Sequence, residues 1–178
     1  MSEVHRLVEQ EIPRLRRYAR ALTRNTDRAD DLVQETLMRA IAKAHLWQPG
    51  TDFRAWAFTI MHNQHVNMVR RALRDEATVD IQKLSSSLVA TTDPTVSRQL
   101  LELELALARL PEEHREVILL VGLEGLSYEQ AAQILSVPVG TVRSRLSRGR
   151  DALRRLMDLP PKERSASTPT LEAAAVAA

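Results

Sequence analysis

At 178 residues the chain has room for one ordinary domain or two small ones, and 44% hydrophobic residues is enough to bury a core. Aromatics at 3% and only 5 glycines disfavour a β-sandwich, and the absence of cysteine excludes disulfides and thiolate metal sites. The net charge of +2 is small, so what matters is how the charge is distributed.

The N-terminus, MSEVHRLVEQEIPRLRR, has no apolar signal core. No apolar run approaches the roughly 20 residues that span a bilayer. A soluble, cytoplasmic protein with no membrane partner is the expectation.

Ile12, Leu15, Ala19 and Leu22 suit a first helix with Pro13 in its opening turn. "NTDRADD" offers an N-cap at Asp27 or a neighbour. A second helix follows, with Ala29, Leu32, Val33, Thr36, Leu37, Ala40, Ile41 and Ala44 on one broad face. Pro49 and Gly50 break it. A third helix is predicted from about Phe53 to Arg74, with Trp56, Ile60, Val66 and Val69 as buried positions and a basic end, VRRALR.

From Asp75 to Val96 the periodicity fades into a Ser/Thr-rich stretch, read as a linker over 75–96. "LLELELALARLP" fits either period. Its Leu, Ala, Glu and Arg favour helix, with Pro111 opening the next one. "PEEHREVILLVGLEG" is a helix that is acidic at its start and closes near Gly122 to Gly125. Ser127 and Gln130 make a capping-box pattern for a short helix. The tail, 159–178, is poor in large apolar residues and is expected to be mobile.

The last helix carries six arginines between Val137 and Leu156, with Asp151 as the single acid. Val142, Leu146, Gly149, Leu153 and Leu156 step by four and three along one face, so that face packs on the two preceding helices. Arg143, Ser144, Ser147 and Arg148 lie off it. The order is that of a helix-turn-helix whose final helix enters the DNA major groove. There Arg bonds guanine edges and Ser bonds a base edge or a phosphate, while other arginines meet phosphates. The plainer alternative is a solvated face with some helix-terminal cations.

Residues 111–156, LPEEHREVILLVGLEGLSYEQAAQILSVPVGTVRSRLSRGRDALRRL with the preceding Leu110, closely resemble the fourth conserved region of extracytoplasmic-function (ECF) sigma factors. "YARALTRNTDRADDLVQETLMRAI" and "FRAWAFTIMHNQHVNMVRRALR" resemble the second region. The resemblance implies an all-α chain of two small helical domains on a flexible linker. These would be a region 2 domain at 8–74, a linker at 75–96, a region 4 domain at 97–158, and the tail. It implies a specificity subunit of bacterial RNA polymerase and no enzyme activity of its own. Its partners would be the polymerase core, through the β′ clamp helices, and promoter DNA.

Carried onto this sequence, Arg143, Ser144, Ser147 and Arg148 fall at −35 contact positions, with Arg145 and Arg150 on phosphates. Asp31, Gln34, Glu35 and Arg39 match the clamp-binding surface, where the alternative is the wet face of an amphipathic helix. The third helix and the loop before it match the promoter-melting portion, which holds a flipped base and so needs a stacking surface and polar groups. Trp47, Gln48, Pro49, Gly50, Thr51 and Asp52 fall at the capture loop, and Asn63 at the pocket asparagine. Asn67 stands where Asp is frequent. Arg70 and Arg71 lie where phosphates pass. For Trp47 a partly buried anchor is the competing assignment.

Other departures from the family pattern are Ala57, His62 and Gly149. The glycine is expected to loosen the last helix by about 1 kcal/mol. "RAWAFTIMHNQ" most resembles the alphaproteobacterial general-stress subgroup, which implies control by a small anti-sigma factor.

Three rivals remain. One is a sigma-like mimic that sequesters an anti-sigma factor without reading DNA. Another is an ordinary helix-turn-helix repressor, which leaves the front half unexplained. The third is an enzyme: His62 and His65 are three apart, a spacing compatible with metal ligation, but no third ligand is evident nearby in the sequence. No cofactor, metal or catalytic residue is assigned.

Overall fold

A computed structural model describes residues 3–76 and 94–160, and every regular element among them is helical. The first three helices are α1 (Glu3–Thr23), α2 (Thr26–Ala42) and α3 (Phe53–Glu76), with a 3-10 turn at Ala44–Leu46 between α2 and α3. The back half holds α4 (Pro94–Arg109), α5 (Glu112–Ile118), α6 (Tyr128–Leu135) and α7 (Val139–Leu156). Most of the 75–96 stretch, and the tail beyond Pro160, lie outside the described residues. No described helix is long and apolar enough to cross a membrane.

Several boundaries differ from expectation. α1 begins at Glu3, so Pro13 sits inside the helix rather than in its first turn. The apolar stripe continues back through Val4 and Val8, which are buried with Ala40, Trp47, Phe53 and Ala57 in a small second core. That packing holds the extra turns despite the missing N–H. The N-cap of α2 is Asn25, whose side chain accepts from the Arg28 amide, and not Asp27. Ile41 is exposed rather than part of the buried face.

On α3 the buried residues are Phe53, Ala57, Phe58, Met61, Gln64 and His65. Trp56, Ile60, Val66 and Val69 are only half-buried. The burial follows a face that touches α1, α2 and also α6, so polar residues are covered there too. The stretch that alternates like a strand in sequence is helix α4.

The two helical units share one apolar core. Leu15, Tyr18, Ala19 and Leu22 of α1 join Leu107, Leu110, Val117, Leu119 and Leu120 of the back half. Polar bonds run alongside. Arg17 holds the Glu124 carboxylate at 3.0 Å, and Arg54 Nη1 donates to the Glu124 carbonyl at 3.2 Å. Arg24 Nη1 donates to the Ala108 carbonyl at 3.1 Å.

The buried Arg115 guanidinium collects the carbonyls of Leu107, Leu110 and Leu22, at 2.9, 2.8 and 3.2 Å. It thereby ties the carbonyls at the end of α4 and in the loop after it to the end of α1. Burial holds its pKa below the ordinary arginine value, with Arg24 adding to the depression.

Candidate nucleic-acid interface

α5 ends in a π turn, Leu119–Leu123, in which the Glu124 amide reaches back to the Leu119 carbonyl at 3.0 Å. α6 then starts on the expected capping box, with Ser127 Oγ accepting from the Gln130 amide and Gln130 Oε1 accepting from the Ser127 amide. It stops at Ser136, which is left-handed at φ 54°. There the Val137 amide bonds the Ala132 carbonyl and the Ser136 amide the Gln133 carbonyl, a Schellman closure. Pro138 precedes α7 and fixes its entry.

On α7, Val142, Leu146 and Gly149 are buried, Leu153 is half-buried and Leu156 is exposed. The expected docking face therefore exists for its first three turns and frays after them. The glycine does more than loosen the helix. A Cβ on Gly149 would stand 2.8 Å from Ile118 Cδ1 and 3.2 Å from His114 Cβ, so its absence is what lets α7 lie close on α5.

Away from that face, Arg143, Ser144, Ser147, Arg148 and Arg150 are all exposed. Arg143 lies over the Tyr128 ring, 5.8 Å from its centroid, which steadies the guanidinium. Ser144 Oγ donates to the Thr141 carbonyl at 3.0 Å. Arg145 stands apart: it is half-buried and paired with Glu113 at 2.6 Å, so it joins α7 to α5.

In the front half, Gln48, Thr51 and Asp52 are exposed in the loop ahead of α3. Thr51 Oγ1 donates to the Gln48 carbonyl, and Asp52 Oδ1 accepts from the Ala55 amide, capping α3. Trp47 is not available as an exposed base platform here. It is 8% exposed and packs edge-on against Phe53, so the anchor assignment describes it better. Asn63, Asn67, Arg70 and Arg71 are exposed on α3. The helical period groups Asn63, Asn67 and Arg70 on one face, opposite His65 and Phe58.

Asp31, Gln34, Glu35 and Arg39 are exposed on α2, with Glu35 and Arg39 3.9 Å apart. Met38 and Ile41 stand exposed on the same helix, so the surface is mixed rather than simply acidic.

The residues that sequence reasoning missed are those joining the halves: Arg17, Arg54, Arg115, Glu116, Glu124 and Gln130. Gln130 was legible as a cap, but its Nε2 also donates to Asp52 Oδ2 at 2.5 Å. Glu124 is buried, and burial raises its carboxyl pKa against the opposing pull of Arg17, Arg14 and Arg54.

Comparisons with known proteins agree with this geometry. Residues 8–62 match the family description "Sigma2 domain of PhyR", and residues 100–153 match "Sigma-70, region 4". The chain is 41% identical over 146 residues to the ECF RNA polymerase sigma factor EcfG of Rhodopseudomonas palustris, covering 82% of this chain and 80% of that one. Its fold is similar to RpoE solved in complex with the anti-sigma factor NepR from Bartonella quintana. That match has a TM-score of 0.77 and 32% identity, over 90% of this chain and all of that one. CnrH, solved with the cytosolic domain of CnrY, is similar at a TM-score of 0.63 and 27% identity, over 87% of each chain.

Proposed function

Because the chain belongs to the ECF sigma factors of RNA polymerase, we propose that it brings the polymerase core to chosen promoters, with each half reading a different part of the DNA. The observation that carries this is the division of α7. Val142, Leu146 and Gly149 are buried on one side, and Arg143, Ser144, Ser147 and Arg148 are free to meet a major groove on another. Arg150 meets phosphate beside them. The region 4 unit, 97–158, thus reads the −35 element as duplex.

The region 2 unit, 8–74, grips the β′ clamp helices through Asp31, Gln34, Glu35 and Arg39. It traps the −10 strand between the Gln48, Thr51 and Asp52 loop and the Asn63, Asn67, Arg70 and Arg71 face. Exposed asparagines supply hydrogen bonds to a base edge, and the arginines supply charge for the strand behind it. Melting is driven by binding energy, and the phosphodiester chemistry belongs to the polymerase. The work is cytoplasmic.

The closed arrangement is the resting form. Asp52, assigned to the open strand, is bonded to Gln130, so the halves must part before the loop can serve DNA. RpoE was solved with the anti-sigma factor NepR, which supports control of this chain by an anti-sigma factor of its own.

Run-off transcription with purified core polymerase on a promoter library tests the reading. Start-site selection that depends on the added chain is the expected result. A mimic that only sequesters an anti-sigma factor is the second reading, favoured by the match of residues 8–62 to the PhyR domain. It predicts capture of such a partner with no transcript.

A further inference from the structure

Two histidines of α3 face two glutamates of α5 across the boundary between the halves. His62 Nδ1 lies 3.2 Å from Glu116 Oε1, and His65 Nε2 lies 2.5 Å from Glu112 Oε1. Ligand atoms of His65, Glu112 and Glu116 all fall within 4.8 Å of one another. Each helix thus supplies two donors, one turn apart: His62 and His65 at a spacing of three, Glu112 and Glu116 at a spacing of four.

We propose that His62, His65, Glu112 and Glu116 form a site for one divalent ion of zinc's class, bolting α3 to α5. Two imidazoles and two carboxylates are a donor set suited to such an ion and poorly suited to magnesium or calcium, which take oxygen shells. A tetrahedral zinc with bonds of about 2.0–2.2 Å sets its ligands roughly 3.3–3.6 Å apart. Among His65, Glu112 and Glu116 the ligand atoms lie within 4.8 Å of one another, which brackets that value, and His62 Nδ1 stands 3.2 Å from Glu116 Oε1, so side-chain rotation would add it as the fourth donor.

Charge and access agree. An imidazole brings no charge to a metal it ligates, so the two carboxylates would balance a divalent cation. The adjacent Arg145 is already paired with Glu113, which limits its repulsion. His65 and Glu116 are buried, whereas Glu112 is exposed. An open cleft of about 500 Å³, lined by His62, Glu112, Glu116 and Arg145 among others, leads an ion in from solvent.

The test uses the full chain, stripped with chelator and titrated with zinc chloride by calorimetry, with magnesium as a control. One zinc per chain, no magnesium uptake, and a melting temperature that rises with zinc are expected. His65→Gln and Glu116→Gln should each weaken zinc binding by about tenfold or more. Circular dichroism checks that they fold. If these buried variants do not, His62→Gln and Glu112→Gln carry the same test at less buried positions. Absence of zinc binding, or binding unchanged in the folded variants, overturns the site and leaves two ordinary His–Glu hydrogen bonds.

The consequence for regulation rests on the proposed function: zinc would hold the halves closed and lower run-off transcription from wild type but not from His65→Gln. The calorimetric readout does not depend on transcription, so failure of either idea is visible separately.

Discussion

Asp52 and Gln130 are bonded across the two halves at 2.5 Å, the loop ahead of α3 meeting the first turn of α6. The same Gln130 closes the capping box of α6, so one side chain both starts a helix and latches the halves. Asp52→Asn keeps an oxygen to cap α3 but can place an amide NH2 where Gln130 needs an acceptor, so it should leave α6 intact and widen the closed form, seen as a larger radius of gyration in solution scattering. Gln130→Ala should do both harms, with about 1 kcal/mol of additional loss from the cap. A radius of gyration unchanged in both variants would deny the latch.

Arg17 should matter more to stability than its exposure suggests. Its side chain is half-exposed, yet the Glu124 carboxylate it holds is fully covered. Arg17→Ala strands that carboxylate and is expected to cost roughly 1–3 kcal/mol in urea unfolding. The double variant with Glu124→Gln should recover part of the loss, since the stranded charge is then gone.

The same glutamate sets a pH dependence. Burial raises its folded-state pKa, so the folded chain holds this proton more tightly than the unfolded chain. That contribution is complete below the ordinary glutamate range and is lost as pH rises through the raised value. Glu124→Gln should flatten the fall in stability across that window, read from urea midpoints at a series of pH values.

Tyr18 is buried against Phe58, ring centroids 5.1 Å apart, and its hydroxyl has no hydrogen-bond partner among the described residues. Tyr18→Phe should be neutral or stabilising by about 1 kcal/mol at neutral pH. Burial, with Glu116, Glu124 and Glu112 adding to it, raises the phenol's pKa well above its ordinary value. An acid so shifted contributes stability that is lost at alkaline pH, and the variant should lose that alkaline sensitivity.

At Gly149 an alanine gains about 1 kcal/mol of helix propensity but must displace Ile118 and crowd His114. Gly149→Ala should therefore give no net stabilisation, and Gly149→Val should cost about 1–3 kcal/mol in thermal or urea unfolding.

Much of this was readable from the chain and some was not. Repeating apolar positions located the helices, and the Ser127–Gln130 pair located a cap, because both are local signals. Pro13 misled because burial of Val4 and Val8 outweighs a missing amide hydrogen. His65, Glu112 and Glu116 could not be grouped in advance, since His65 and Glu112 are 47 positions apart and only the packing of α3 on the back half brings them together. Trp47 was open between anchor and platform because one residue type serves either use. The exposed arginines of α7 were legible because a docking row and a wet row alternate within one helix, while the Arg145–Glu113 pair needed the position of α5 to be known.

The widened turn at Leu119–Leu123 carries one residue more than an α-helical ladder would hold there. That surplus residue sets where the chain departs from α5 toward α6 and α7. Deleting Gly122 would let the ladder tighten and would change where the chain leaves α5, shifting α6 and α7 with it. The guanidinium row would then face elsewhere without a single arginine having changed.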